Sequence, residues 1–251
     1  MGIVRTQGVI TKETKFGETS KIITLITKDF GKISAIANNV RGAKSHLLSG
    51  LSLFTYSDIV LYEGKGKDSL FRINEINVIE SFKGIRESID KMAYASYFSE
   101  IINKAVNENN PENELLGLFL NSLYMLNSDL ADFRILKTAY EIKIAQISGY
   151  APSFSECGKC GLKEKLLYVD PSEGYVCCER CGLLLKKSFK INNTVRDLWS
   201  FILNNNLKQA ISVTVDKEIT DYLNKLTEEY LSLKFETEFK TLKFLKNVMA
   251  V

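Results

Sequence analysis

The chain has 251 residues, of which 45% are hydrophobic and 25% charged, a composition typical of a globular protein long enough for more than one hydrophobic core. No run approaches the ~18 continuous apolar residues of a membrane span, and the first residues lack the apolar core of a signal peptide, so we expect a cytoplasmic protein and no membrane partner. The formal net charge of +3 is uneven: residues 1–80 and 183–251 each carry 11 Lys/Arg against 8 Asp/Glu, and the middle is acidic.

The first 80 residues are predicted to form a small β-domain. Short β-rich runs alternate with turn signals. Five strands are predicted, at Val4–Ile10, Lys21–Thr27, Lys32–Ala37, around Asp58–Tyr62 and around Phe71–Ile79. A short helix over Ala43–Leu53 fits between the third and the fourth. This order is typical of an OB-fold barrel, which binds single-stranded nucleic acid across one face and through its loops, although other small barrels share the strand count.

From Ser81 onward the hydrophobic period becomes helical. Helices are predicted over about 85–102, after Pro111, over 130–148, and over 193–203, 216–233 and 238–249. Their apolar stripes are most simply the core of a helical domain. The predicted class is therefore α+β, with an OB-fold DNA-binding domain at 1–80, a helical domain at 81–251 and a zinc-ribbon insert at 149–190.

All five cysteines fall within 25 residues in the middle of that helical domain. Cys157 and Cys160 form one C-x-x-C pair, and Cys178 and Cys181 form a second after 17 intervening residues. The stretch between the pairs is predicted to be a hairpin. Two such pairs joined by a hairpin indicate a zinc ribbon. Four thiolates leave no position for water, so we expect one structural Zn²⁺ per chain.

Cys177 is the fifth cysteine, and it complicates the choice of ligands. It could replace Cys178 with one extra residue of spacing, but that would break the C-x-x-C pair, so it is predicted to be a strand residue that does not bind metal. Disulfides are a competing interpretation that a cytoplasmic location disfavours. A redox-active C-x-x-C is another, but it would not require a second matching pair.

Several segments, in this order, are similar to one known family. They are Gly8–Ile10, Phe16–Ser20, Leu25–Ile33 and Val40–His46, followed by the helical segment and the double C-x-x-C insert. On these segments the sequence resembles the RecO family of bacterial DNA repair proteins over nearly its whole length. It departs at His46, where Arg is common, and at Cys177, where an ordinary apolar residue is expected.

The resemblance implies a recombination mediator with an OB-fold, a helical domain and an inserted zinc ribbon. Such proteins bind single- and double-stranded DNA and anneal complementary strands. They also act on single-strand-binding protein and join RecR to help load the RecA recombinase. A nucleoid-associated place in the cytoplasm follows from that role.

Basic side chains in the predicted barrel suit a polyanionic partner. The segment 30–57 contains no carboxylate and forms a basic strip. On the OB-fold interpretation, cations lie in this strip, in or beside the first loop, and in the loop between strands four and five. The predicted DNA-binding residues are Lys12, Lys15, Lys32, Arg41, Lys44, Lys65 and Lys67. Phe16 and Tyr62 are candidates for base stacking, with a place in the barrel core as the alternative.

No catalytic residues are predicted. His46 is the only histidine, and a four-cysteine site offers no place for activated water, which argues against a zinc hydrolase or deaminase. The sequence contains neither of the glycine-rich phosphate-binding motifs, G-x-x-x-x-G-K-[ST] and G-x-G-x-x-G. The alternative to a DNA-binding mediator is a zinc-ribbon scaffold that acts only through protein contacts. Lys240, Lys243 and Lys246 recur among apolar residues and suggest a docking site for the acidic tail of single-strand-binding protein.

Overall fold

The computed structural model describes residues 2–40, 47, 50–64 and 70–250. The chain forms two compact units, the first comprising 1–128 with 241–251 and the second 129–240. The helix predicted over Ala43–Leu53 lies largely outside the described residues, as do the predicted DNA-binding residues Arg41, Lys44, Lys65 and Lys67.

The first unit begins with a closed five-stranded barrel. Its strands are β1 (Ile3–Phe16), β2 (Ser20–Thr27), β3 (Gly31–Ala37), β4 (Tyr56–Tyr62) and β5 (Phe71–Glu80). They are ordered β1-β2-β3-β5-β4 around the barrel, and all neighbours are antiparallel except β3 and β5. The predicted barrel and its five strands are therefore confirmed.

Strand β1 closes the barrel because it is long enough to serve two neighbours. Its first half pairs with β4, with Ile3 opposite Tyr62, and its second half pairs with β2, with Phe16 opposite Ser20. A register shift after Ile10 marks a bulge, which lets the strand bend from one neighbour to the other. The barrel interior is filled by alternating apolar residues such as those of β3, where every second position is buried.

Helices complete the first unit. They are α1 (Lys83–Arg86), α2 (Ile89–Ala105), α3 (Asn113–Asn127) and, from the C-terminal end, α9 (Lys240–Met249). Ser88 caps α2 by accepting a hydrogen bond from the backbone N–H of Lys91. The backbone N–H of Thr241 donates to Glu100 Oε2 at 2.8 Å, which ties α9 to α2.

The second unit is built on the remaining helices and a small sheet. The helices are α4 (Phe133–Ile147), α5 (Glu179–Gly182), α6 (Asn193–Asn204), α7 (Leu207–Ala210) and α8 (Lys217–Lys234). The sheet has the order β7-β6-β8 and comprises β6 (Leu166–Asp170), β7 (Tyr175–Cys178) and β8 (Phe189–Lys190). This sheet and α5 lie in the sequence between α4 and α6, as an insert.

A buried ion network joins α4 to α8. The Lys137 ammonium lies 2.9 Å from Glu141 Oε1 and 2.9 Å from Glu228 Oε1, and it donates to Asn224 Oδ1 at 3.0 Å. Glu141 is fully buried and accepts a further hydrogen bond from Thr227. One cation thus serves two carboxylates in the core, where removal of a partner is costly. The network fixes α8, the helix that supports the inserted sheet.

The helices differ from the predicted ones mainly at their ends. The helix predicted from Leu130 begins at Phe133, because Asp132 caps it by accepting a hydrogen bond from the backbone N–H of Arg134. It ends at Ile147, just before Gly149, whose φ is 79°. No helix within the described residues has the length and apolar character needed to span a membrane.

Candidate metal centre and nucleic-acid interface

The cysteine region folds as a hairpin whose turn is built by Asp170. β6 and β7 pair antiparallel, with Asp170 opposite Tyr175 and Leu166 opposite Cys178. The buried Asp170 carboxylate accepts hydrogen bonds from the Ser172 backbone N–H at 3.0 Å and from its hydroxyl at 2.7 Å. Gly174 closes the turn with a φ of 82°. The turn therefore sets the register that brings the second cysteine pair beside the first.

Each cysteine pair lies in a tight turn, here called a knuckle: knuckle 1 is residues 157–162 and knuckle 2 is residues 178–183. In knuckle 1 the Gly158 N–H donates to the carbonyl of Val176 in β7 at 2.9 Å. A Cβ at Gly158 would lie 2.4 Å from the Tyr175 ring, and one at Gly182 would lie 2.2 Å from the Tyr168 ring. Only glycine allows the two tyrosines to cover the knuckles this closely.

The four paired cysteines converge on one point. The sulfur atoms of Cys157, Cys160, Cys178 and Cys181 all lie within 4.8 Å of one another, and those of Cys160 and Cys178 are 3.8 Å apart. A disulfide bond is only about 2.05 Å long. Thiolates at about 2.3 Å from a tetrahedral zinc ion would be roughly 3.8 Å apart. All five cysteines are free thiols, so the disulfide alternative is wrong and the geometry fits a metal ion.

The electrostatics of the cluster also favour a cation. Burial raises the pKa of the Cys157 thiol, but hydrogen bonds from the backbone N–H groups of Cys178, Lys159 and Cys160 outweigh this effect and lower the pKa to about 6. A hydrogen bond with Cys160 and then burial raise the pKa of Cys181 to about 12. Four thiolates this close cannot all ionise unless a positive ion offsets their charge. Four sulfur donors are typical of zinc.

Cys177 is separated from this set. It lies in β7 opposite Tyr168, it is fully buried, and it is not among the four converging sulfurs. Burial and then the charge of Cys157 raise the pKa of the Cys177 thiol to about 12, which makes it a protonated thiol at neutral pH. Its place in the strand agrees with the prediction that it is not a ligand.

The inserted sheet is anchored on α8. Lys234 Nζ donates to the carbonyl of Ser172 at 2.6 Å, and the Tyr222 hydroxyl donates to the carbonyl of Lys190. Lys187 and Glu229 form an ion pair with an N···O distance of 2.5 Å. These contacts involve the turn and the last strand, and the residues 158–165 of knuckle 1 and its exit stay exposed.

The length of β1 determines where Lys12 and Lys15 lie. β1 extends to Phe16 rather than ending near Ile10, so both lysines lie in the strand, Lys15 beside the first loop and Lys12 farther from it. Both are exposed, as is Phe16. Lys15 lies opposite Lys21, whose ammonium is 2.8 Å from Glu13 Oε2. This end of the β1–β2 hairpin therefore presents cations and an aromatic ring to solvent.

Lys32 is the third predicted DNA-binding residue within the described residues. It is half-buried in β3, and its ammonium donates to the carbonyl of Asn103 in α2 at 3.0 Å. A phosphate would have to displace this hydrogen bond. The site is thus less suited to DNA than the exposed hairpin lysines.

A row of outward-facing residues crosses the barrel beside these lysines. Its members are paired strand by strand in the order Thr14, Ile22, Ile36, Arg72, Tyr62 and Ile3. Arg72 is exposed and Tyr62 is half-buried, so neither belongs to the core. The row starts at Thr14 and returns to the same strand β1 at Ile3. This offset in register is the stagger between strands that closure of a barrel requires. It places a cation next to an aromatic ring on the outer face.

Arg72 is absent from the sequence-based set. The prediction placed most of its cations in loops, whereas Arg72 lies in strand β5, at an exposed position directly before the buried Ile73. The sequence signal that could have identified Arg72 is an arginine within a predicted strand. Only the pairing of β5 with both β3 and β4 shows that it adjoins Tyr62.

The three lysines predicted to bind a partner lie on α9. Lys240, Lys243 and Lys246 are exposed, whereas Leu245 is buried. The Phe244 ring is 45% exposed, so an aromatic side chain accompanies the cations on this helix. The arrangement agrees in charge and apolar character with an acidic peptide, but it does not by itself define a pocket.

These features define a class of protein that joins an OB-fold barrel to a helical domain carrying a four-cysteine ribbon. The family model "Recombination protein O N terminal" matches residues 1–82, and "Recombination protein O C terminal" matches residues 86–243. The chain therefore belongs to the RecO family.

Curated relatives match over almost the full length. The chain is 34% identical over 251 residues to the DNA repair protein RecO of Acetivibrio thermocellus, covering 99% of this chain and 98% of the relative. It is 30% identical over 246 residues to the protein of that name from Clostridium novyi, covering 96% and 93%. It is 28% identical over 248 residues to the DNA repair protein RecO of Alkaliphilus metalliredigens, covering 98% of this chain and 100% of the relative.

The cysteine cluster predicts which thiols hold the metal. Cys181→Ser should lose zinc and destabilise the ribbon, because metal binding supplies local folding energy. The Cys177→Ser variant should keep its zinc, since the Cys177 thiol lies outside the cluster. Elemental analysis of the purified proteins measures this directly. Zinc retained in Cys178→Ser but lost in Cys177→Ser would contradict the ligand assignment.

The tyrosine contacts predict opposite effects of alanine at two helical glycines. Propensity alone favours alanine by about 0.5–1 kcal/mol. Gly117→Ala in α3 should follow propensity, because nothing lies within 4 Å of its added Cβ. Gly182→Ala should instead destabilise by ~1–3 kcal/mol, because that Cβ meets the Tyr168 ring. Urea unfolding of both variants tests this, and stabilisation by Gly182→Ala would show that the ring moves freely.

Proposed function

We propose that this protein is a non-enzymatic recombination mediator that binds single- and double-stranded DNA and anneals complementary single strands. With RecR, it helps RecA load on DNA coated by single-strand-binding protein. The observation that carries the proposal is a cationic, partly aromatic outer face on the barrel of a chain matched along its length by the RecO family models. Such a role belongs where the chromosome is, in the cytoplasm beside the nucleoid.

Annealing requires binding rather than bond chemistry. Cations that neutralise phosphates on two strands reduce their repulsion, and a stacking surface holds bases available for pairing. Lys12 and Lys15 are exposed at the hairpin end, and Arg72 adjoins Tyr62 on the outer row. We assign the phosphate contacts to these cations and a stacking role to Tyr62 and Phe16. Arg41, Lys44, Lys65 and Lys67 remain sequence-based candidates for the same surface, and Lys32 a weaker one.

The proposed domains follow the same division of labour. Residues 1–80 form the DNA-binding barrel, 81–251 the helical domain, and 149–190 the ribbon inserted into it. The ribbon holds one structural Zn²⁺ through Cys157, Cys160, Cys178 and Cys181. Because four protein ligands fill the tetrahedral shell, the ion supplies folding energy rather than an activated water.

The non-enzymatic part of the proposal rests on the sequence. Its single histidine and the lack of a phosphate-loop motif leave no recognisable machinery for hydrolysis or nucleotide-driven movement. The scaffold alternative, in which the protein acts through protein contacts alone, differs from the mediator in one measurable property, which is salt-dependent binding to oligonucleotides.

The hairpin lysines predict the salt dependence of DNA binding. Each phosphate neutralised on a single strand contributes about 0.7 to the slope of log affinity against log salt. Lys12→Glu with Lys15→Glu should therefore weaken binding and flatten the slope by roughly one to two units, equally for oligonucleotides of different sequence. Fluorescence anisotropy at several salt concentrations measures the slope, and annealing should fall with it.

A charge reversal elsewhere in the chain tests whether the effect belongs to the hairpin lysines or to the net charge of the protein. Lys208 is exposed on α7 in the second unit, so Lys208→Glu should leave the slope unchanged. If Lys12→Glu with Lys15→Glu folds and shows the parental slope, the hairpin is only a solvated face. If the unaltered protein binds no oligonucleotide at low salt, the scaffold alternative is correct.

The lysines of α9 predict where the acidic tail of single-strand-binding protein docks. Reversal of Lys240, Lys243 and Lys246 to Glu should abolish binding of a tail peptide, because charges of equal sign would then face each other. Isothermal titration with the peptide tests this. The ion-paired Lys21→Glu variant is a control for overall charge, and equal tail binding by the parent and the triple variant would reject the site.

A further inference from the structure

The two knuckles repeat one short sequence. Knuckle 1 reads Cys-Gly-Lys-Cys-Gly-Leu and knuckle 2 reads Cys-Glu-Arg-Cys-Gly-Leu. A cation, Lys159 or Arg180, precedes the second cysteine of each, and a leucine, Leu162 or Leu183, follows the glycine. Metal ligation explains the cysteines, and the turn explains the glycines. Neither explains why both knuckles carry a cation and a leucine.

The leucines of the knuckles are exposed. Leu162 is 48%, Leu183 68% and the adjacent Leu184 82% exposed. A single exposed leucine is ordinary on a protein surface. Two at equivalent places in the knuckles, with a third beside one of them, are not ordinary, since exposed apolar groups that recur together mark contact sites. The core of the ribbon does not need them, because Tyr168, Val169 and Val176 fill it.

The cysteine cluster limits how far apart these leucines can lie. Leu162 and Leu183 each follow a cluster cysteine by two residues, so each Cα lies at most about 7 Å from that cysteine's Cα. The four sulfurs lie within 4.8 Å of one another. The two leucines therefore lie beside the cluster, one in each knuckle.

The charge around the leucines is positive. Lys159 and Arg180 are exposed, and further cations follow them at Lys163, Lys165 and Lys186. Residues 157–165 and 178–186, which include these five cations, contain two carboxylates, Glu164 and Glu179. A zinc ion with four thiolates carries a net charge of about −2. The five cations exceed these negative charges, so the surface attracts an acidic partner.

We propose that the two knuckles form a docking surface for an acidic protein segment that carries two or more large apolar side chains. Its apolar side chains contact Leu162, Leu183 and Leu184, and its carboxylates face Lys159 and Arg180. Nucleic acid fits less well, because bases stack on aromatic rings and guanidinium planes, whereas the exposed apolar side chains here are aliphatic leucines beside the single guanidinium of Arg180. The one aromatic ring beside knuckle 1, Tyr175, is covered by Lys159 Nζ at 5.6 Å from its centroid. The surface is distinct from the lysines of α9 and does not depend on DNA binding.

The test uses a synthetic peptide of about 16 residues with leucine at every third or fourth position and glutamate elsewhere, labelled for fluorescence anisotropy. A second peptide has serine in place of leucine and the same charge. The full-length protein should bind the leucine peptide at least about tenfold more tightly than the serine peptide. Leu183→Ser with Leu184→Ser should remove this preference, and Lys159→Ala with Arg180→Ala should weaken both peptides.

Matched variants separate the surface from other exposed residues. Ile89→Ser removes an apolar side chain that is 66% exposed on α2, and Lys208→Ala removes an exposed cation on α7. Both should bind the leucine peptide like the parent. Zinc content and oligonucleotide binding should be parental in every variant. If the double serine variant loses zinc, Leu162→Ser in the other knuckle takes its place.

Three outcomes would overturn the proposal. The first is that the knuckle variants keep zinc and still prefer the leucine peptide. The second is that binding is lost on reversal of Lys243, which would place the contact on α9. The third is that the knuckle variants still bind the peptide but lose oligonucleotide binding, which would make the knuckles a DNA surface.

Discussion

The convergence of four cysteine sulfurs within 4.8 Å is the constraint on which the ribbon depends. Its strands have five, four and two residues, and a sheet this small is not stable on its own. A metal ion held by the four sulfurs would supply the missing stability and fix both knuckles. Contacts from Lys234, Tyr222 and Glu229 then hold the sheet against α8, and α8 is held to α4 by the buried ion network of Lys137. The position of the knuckle surface thus follows from a chain of polar contacts rather than from a large apolar interface.

The closure of the barrel depends on one long strand, β1. β1 pairs with β4 and with β2, and the bulge after Ile10 lets one strand serve both neighbours without exposing an edge. Closure leaves the outward side chains as the only part of the sheet that faces solvent. Cross-strand pairing then brings together residues far apart in sequence, such as Arg72, Tyr62 and Ile36. The surface proposed to bind DNA is therefore a product of strand order.

Local signals predicted most of the fold. Short β-rich runs between turn signals indicated the five strands, the helical hydrophobic period indicated the helices, and C-x-x-C spacing indicated the four converging cysteines. Features that depend on pairing between distant segments were missed. The length of β1, and with it the place of Lys12, follows from pairing with β2, and Lys32 looked like a free cation because its acceptor, Asn103, lies 71 residues away. The exposure of Leu183 and Leu184 was equally invisible, because the sequence does not show that Tyr168, Val169 and Val176 already fill the ribbon core.

The barrel and the knuckle surface differ in the physical interaction that they use. Phosphate binding by exposed lysines depends steeply on salt, because its main source is the release of counterions. Contacts to the leucines of the knuckles depend on the burial of apolar area, which salt does not screen. A mediator must transfer DNA to another protein. Its contact with DNA must then weaken while its contact with the partner protein persists. On the proposed function, two surfaces of different physical character, on separate compact units of one chain, would let the protein release a strand and keep a partner.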